Sequence, residues 1–187
     1  VKREFETEQK EIQDSLNKQV YELMGDTPIN LASPEQLSMV IYSRKPKDKP
    51  TWASNFTKYM KKAAFDAAVK ENSQYVYRTT AVQCKKCFGR GYNIAVKKDG
   101  TLGKARRICK DCNKEGILYI PSKKIAGLKF TAPSASWIAN HGFSTSKLNI
   151  EMLEEAAKRR NLPEAESFLY KVRRLSALDT YLSSFVD

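Results

Sequence analysis

Cys84-Lys85-Lys86-Cys87 and Cys109-Lys110-Asp111-Cys112 are two C-x-x-C turns, and between them they hold all four cysteines of the 187-residue chain. A C-x-x-C turn lets two sulfurs face one ion while nearby backbone amides hydrogen-bond to them, and two turns spaced about 20 residues apart complete a tetrahedron of thiolates. The sequence therefore predicts a structural Zn2+ at Cys84, Cys87, Cys109 and Cys112. Four thiolates leave no position for water, which argues against a catalytic metal. Disulfide-bonded hairpins and unligated thiols are the alternatives, and a redox dithiol lacks the strand–helix surroundings it would need. Residues 84–120 read as a zinc ribbon, a unit too small to fold without its metal.

Working outward, residues 74–83 are rich in Tyr, Val and Thr, which suit a strand entering the first turn. Residues 92–96 alternate, Lys98-Asp99-Gly100 is a hairpin turn, and residues 105–108 return to the second cysteine pair. An exit strand over 117–120 is expected to stop at Pro121. Residues 123–133 read as a basic, weakly structured return.

The flanks carry helical spacing. Val1, Phe5, Ile12, Leu16, Val20 and Leu23 form one apolar stripe, closed by Gly25. Ser33-Pro34-Glu35-Gln36 has the pattern of a capping box, with Ser33 as N-cap, Pro34 at the first helical position and Gln36 reaching back; Leu37, Val40 and Ile41 face inward. After the charged, proline-punctuated connector 44–50, a helix over about 51–72 follows, with Trp52 on its apolar stripe and Lys58, Lys61 and Lys62 exposed. Trp137 likewise reads as a core residue, and His141, the single histidine, as a loop residue. A helix over about 149–160 is expected to bury Leu148, Met152, Leu153 and Ala156, with Glu151, Glu154 and Glu155 near its start favouring the macrodipole. A last helix runs from Pro163 to about Val186, with Phe168, Val172, Leu175, Leu178 and Leu182 inward. The expected fold is mainly α: two long antiparallel helices, a helical frame of residues 1–73 and 125–187, and a small β zinc ribbon inserted as residues 74–124.

Net charge is +12, and its distribution is uneven: −4 over residues 1–43, +6 over 44–83, +9 over 84–124 and +1 over 125–187. A basic centre around a metal site points to a polyanionic partner. With 41% hydrophobic residues the chain can supply a core, and it has no apolar run long enough to span a membrane. Paired cysteines without a secretory signal favour a reducing compartment, so a cytoplasmic location is expected.

Three stretches outside the ribbon resemble family A DNA polymerases, the bacterial polymerase I-like family. Residues 29–37, Ile-Asn-Leu-Ala-Ser-Pro-Glu-Gln-Leu, are similar to that family's FNLxSPKQL segment. Gly142-Phe143-Ser144-Thr145-Ser146 resembles GYSTS, and residues 173–182, Arg-Arg-Leu-Ser-Ala-Leu-Asp-Thr-Tyr-Leu, resemble RxLSKLxSTYL, with Ala177 where the family has Lys. The order of the three agrees with the family. The ribbon has a separate likeness: Cys84 to Gly91 follows the C-x-x-C-x-G-x-G pattern of J-domain chaperone ribbons, and the second half keeps only Gly116.

The polymerase resemblance implies a thumb subdomain, possibly of a phage enzyme acting in a host cytoplasm, with the ribbon inserted near its tip. Such a thumb grips primer–template duplex through the sugar–phosphate backbone and is not itself catalytic, because the aspartate-bearing palm motifs lie beyond it. The parent chain would be a DNA-directed DNA polymerase. Lys85, Lys86, Arg90, Lys97, Lys98, Lys104, Arg106 and Arg107 are the residues expected to extend that grip to DNA, since charge neutralisation is independent of sequence. A thumb insertion that recruits a processivity or replisome protein is the second expectation. A free-standing zinc nucleic-acid protein, and a chaperone-like binder using Phe88 and Tyr92, are further alternatives.

Overall fold

A computed structural model describes residues 1–45, 74–139 and 142–185. The helix expected over 51–72, with Trp52, and His141 lie outside the described residues. The described elements are α1 (Lys2–Met24), α2 (Pro34–Tyr42), β1 (Arg44–Lys45), β2 (Gln74–Tyr75), β3 (Tyr77–Gln83), β4 (Tyr92–Val96), β5 (Leu102–Ile108), β6 (Ile117–Ile125), a 3-10 turn over Ala135–Trp137, β7 (Ile138–Ala139), β8 (Gly142–Phe143), α3 (Lys147–Arg159) and α4 (Pro163–Ser184). Among them no helix is long and apolar enough to cross a membrane.

The architecture is mixed α/β, which corrects the mainly α, long-helix expectation. Of the described residues, 45% are helical and 23% are strand, arranged as antiparallel pairs β1–β2, β3–β6, β4–β5 and β7–β8. Two causes explain the undercount. The pairs β1–β2 and β7–β8 are two residues per strand, too short to show a period. In addition, β6 does not stop at Pro121: it continues to Ile125, and its register against β3 jumps from Thr79↔Pro121 to Tyr77↔Ile125. Proline has no N–H to give the ladder, so pairing is interrupted there by a bulge and then resumes.

One large core joins α1, α2, α3 and α4. Leu16, Met24, Val40, Ile41, Phe168 and Leu169 are fully or almost fully buried in it. α1 lies along α4, with Phe5 stacked on Tyr181 and the Lys171 ammonium donating to Ser15 Oγ at 2.7 Å and Gln19 Oε1 at 3.2 Å. Gly25 closes α1 with φ +79, its N–H donating to the Tyr21 carbonyl at 2.9 Å. Ser33 and Pro34 start α2, but the capping box does not form. The Ser33 hydroxyl makes no cap bond, and Gln36 Oε1 instead accepts from the Asn30 N–H at 2.7 Å, bracing the preceding turn.

α3 corrects a further expectation. It carries two neighbouring apolar stripes, and the one turned to the core is Ile150, Leu153 and Ala157, whereas Leu148 and Met152 are exposed. Both stripes satisfy helical spacing, so only packing against α4 selects between them. Its start is Lys147, where the Ser146 hydroxyl accepts from the Asn149 N–H at 3.3 Å, so the glutamates fall after the first turn.

The stretch after β6 is not loose. Ala126 N–H donates to Val76 O, Gly127 N–H to Leu23 O, Leu128 N–H to Val40 O and Phe130 N–H to Ile41 O, at 2.8 to 3.2 Å, and Lys129 N–H to Ser43 Oγ at 3.0 Å. This strap closes over the ends of α1 and α2. Ser38 Oγ accepts from Phe143 N–H at 3.1 Å, and the buried Tyr42 hydroxyl donates to Ser144 O at 2.8 Å, so residues 142–144 are tied to α2.

Candidate metal centre and basic ribbon

The ribbon has its own small core, consisting of Cys84, Cys87, Cys109 and Cys112 with Leu118 packed against them. All four cysteines are buried and unbridged, and their sulfurs lie within 4.8 Å of one another. Cys84 Sγ is 3.8 Å from Cys109 Sγ, and Cys87 Sγ is 3.6 Å from Cys112 Sγ. The four residues expected to bind metal are therefore brought together as one site that can hold a metal ion.

The two turns repeat each other at an offset of 25 residues. Gly91 N–H donates to Cys87 Sγ and Gly116 N–H to Cys112 Sγ, both at 3.3 Å. Cys84 N–H donates to Gly116 O at 2.8 Å and Cys109 N–H to Gly91 O at 3.0 Å, so each turn is tied to the glycine of the other. A Cβ on Gly91 would lie 2.1 Å from Lys114 O, and one on Gly116 2.2 Å from Gly89 O. Backbone from one turn occupies the space a side chain would need on the other. The sequence hides this likeness because Asn113 and Lys114 stand in the second turn, with φ +48 and +76, where Phe88 and Gly89 stand in the first, with φ +52 and +77.

The thiols differ in acidity. Backbone N–H groups of Cys112 and Asp111, with neighbouring thiols, bring Cys109 down to about 7 against the cost of burial. Burial pushes Cys112 up to about 12, a cost that the Gly116 N–H only partly offsets. For Cys87 burial is again the largest influence, but the Gly91 N–H and neighbouring thiols together outweigh it and the thiol is lowered. Unequal thiols packed this closely share few negative charges among themselves, and a bound cation would supply the compensation they lack.

The ribbon joins the helical part where α1 meets β3. Gly25 bridges Thr79, Asp26 N–H donates to Thr79 O at 3.1 Å, and Asp26 Oδ2 accepts from Ala81 N–H at 2.6 Å. Lys85, Lys86, Arg90, Lys97, Lys98, Lys104, Arg106 and Arg107 are all exposed, but they do not form one face. In the β4–β5 hairpin Arg106 pairs with Ile94 and Arg107 with Asn93, and successive strand residues point to opposite sides. Arg106 accordingly lies over the Tyr92 ring, 4.7 Å from its centroid. Lys86 is held by Asp111 at 3.0 Å, and that hydrogen bond raises its pKa. Arg90 Nε donates to Cys87 O at 3.0 Å.

The sequence did not reveal how the three motif-bearing stretches meet. Leu37, Thr145, Lys147, Arg173, Ala177 and Thr180 are among the residues lining one groove of about 430 Å³. Arg173 and Arg174 on its wall are fixed by two-point ion pairs, Arg173 to Glu154 at 2.9 and 3.2 Å and Arg174 to Glu8 at 2.7 and 2.9 Å. They brace α4 against α3 and α1. No protein-family model, curated protein or solved structure matches this chain.

Proposed function

We propose that the chain is a non-catalytic DNA-binding segment of a DNA-directed DNA polymerase, corresponding to the thumb of the family A enzymes, and that it holds primer–template duplex through the sugar–phosphate backbone. The observation that carries this is the groove in which residues from all three polymerase-like stretches converge, although the first lies more than a hundred positions from the other two. The basic ribbon extends from the same body and presents cations suited to phosphate contacts.

The ion is Zn2+ in a structural role. Four thiolates are zinc's preferred closed set, and at a zinc–sulfur distance of about 2.3 Å a tetrahedron places its sulfurs about 3.8 Å apart. Two of the separations, 3.8 and 3.6 Å, fit it, and all lie within 4.8 Å. Thiolate ligands of this kind belong in a reducing compartment such as the cytosol.

Fluorescence anisotropy with a primer–template duplex tests the reading. Reversing Lys97, Lys98, Arg106 and Arg107 to Glu is expected to weaken binding at least 10-fold. The slope of log affinity against log salt should fall by about 0.9 for each phosphate that is no longer neutralised. Unchanged affinity in the metal-loaded variant would overturn the proposal.

A second reading, a platform recruiting a processivity or replisome protein, draws on Val96 and Leu102. These face each other across the hairpin tip and are each 65% exposed. A protein complex that survives high salt, with negligible DNA binding, would favour it.

A further inference from the structure

The near-duplicate turns of the ribbon act as an internal control. They share cysteine positions, the amide-to-sulfur hydrogen bonds and the signs of their backbone φ angles, so a residue required only for the fold should have a counterpart of similar kind 25 positions later. Phe88, Arg90 and Tyr92 do not; their counterparts are Asn113, Glu115 and Ile117.

Phe88 is the sharpest case. Its backbone is left-handed, φ +52, a conformation that Asn adopts with little strain and Phe does not. The second turn has Asn113 there, at φ +48. Phe88 is also 71% exposed, so burial in a core does not compensate the strain. A strained and exposed aromatic ring at a turn tip is a mark of a binding residue.

Its surroundings identify the ligand class. Arg90 lies over the Phe88 ring at 5.9 Å with its Nε anchored on Cys87 O, and a second such pair, Arg106 over Tyr92 at 4.7 Å, stands on the β4–β5 hairpin. Lys85 is exposed beside the same turn. Aromatic rings interleaved with arginines on a basic surface suit unpaired bases, whose faces stack on rings while the phosphates meet the cations. An apolar protein partner would not call for the cations, and a duplex does not offer its base faces.

We propose that the first turn of the ribbon, with Phe88 as stacking platform and Arg90 and Lys85 as phosphate contacts, binds single-stranded nucleic acid. The proposal rests on the reading that the ribbon meets DNA and assigns the ribbon tip to the unpaired strand next to the duplex.

The 187-residue, metal-loaded chain is titrated with labelled oligothymidylate of about a dozen nucleotides, within the usual site size for such surfaces, and separately with a duplex of equal length. Phe88→Asn places the second turn's own residue in the first, so zinc content measured by thiol-blocking release should be unchanged. Oligothymidylate affinity is expected to fall about 5- to 100-fold, the range for one lost base stack. Duplex affinity should stay within about 2-fold and the salt slope should not change, because every cation that meets a phosphate is still present. Phe88→Tyr should retain single-strand binding.

Unchanged oligothymidylate affinity in Phe88→Asn would overturn the proposal, as would Phe88→Tyr losing as much as Phe88→Asn. If Phe88→Asn loses its metal, Phe88→Leu replaces it with the same expected loss, and unchanged affinity again overturns the proposal. Wild-type chain that binds duplex but not oligothymidylate defeats this inference alone, whereas failure to bind either defeats the proposed function as well.

Discussion

Chelation of the metal, or Cys109→Ser, is expected to unfold residues 84–116 while the helical body remains folded. The reason is the separation of the two cores. The body buries Leu16, Val40, Ile41, Phe168 and Leu169 together, whereas the ribbon core is four cysteines and one partly buried leucine. An interior that small cannot offset the chain entropy of its strands, and metal–thiolate binding, on the order of 10 kcal/mol, would make up the difference. Amide hydrogen exchange is the direct measurement. After chelation the Gly91 and Gly116 amides and those of β4 and β5 should lose protection, and amides of α4 should keep theirs. Ribbon amides that stay protected would show that the metal is dispensable.

Acidification should act in the same direction. Metal binding requires thiolates, so protons compete for the sulfurs as pH falls. Cys109, brought down to about 7, ionises far more readily than Cys112, pushed up to about 12, whose proton leaves when a metal takes its place on the sulfur. Metal affinity should therefore be highest above neutrality and fall steadily below it.

Gly127→Ala is expected to destabilise the body by about 3–4 kcal/mol. Gly127 has φ +81, and a Cβ there would lie 2.4 Å from Val40 O and 2.7 Å from Ser43 Oγ. Those two atoms accept the Leu128 and Lys129 amides that hold the strap on α2. Left-handed backbone costs a non-glycine residue about 1–2 kcal/mol, and two weakened hydrogen bonds add about 1 kcal/mol each. Against a total stability of roughly 5–15 kcal/mol this is a large share. Urea unfolding followed through the near-UV signal of buried Trp137 would measure it, and a loss below about 1 kcal/mol would contradict the strap's role.

The four-cysteine cluster was legible because its signal is local: two cysteines three positions apart already bring two sulfurs to one side of a turn. The hairpin turn at Lys98-Asp99-Gly100 was legible for the same reason, and Gly100 has φ +80. The helix stops were partly legible. Gly25 ends α1 as its type suggests, but Gln36 serves Asn30 instead of Ser33, because the chain before α2 folds back within its reach.

What the sequence by itself determined is thus the cysteine cluster, the four described helices around it and the concentration of positive charge between them. These follow from residue type and spacing along the chain. Only the tertiary structure decided which stripe of α3 is buried, that Arg173 and Arg174 brace helices, and that the strap after β6 is fixed. Each depends on a partner elsewhere in the chain: α4 for the stripe, Glu154 and Glu8 for the arginines, and the ends of α1 and α2 for the strap. Spacing along one segment states which faces exist; the free energy of covering them is set by what packs there.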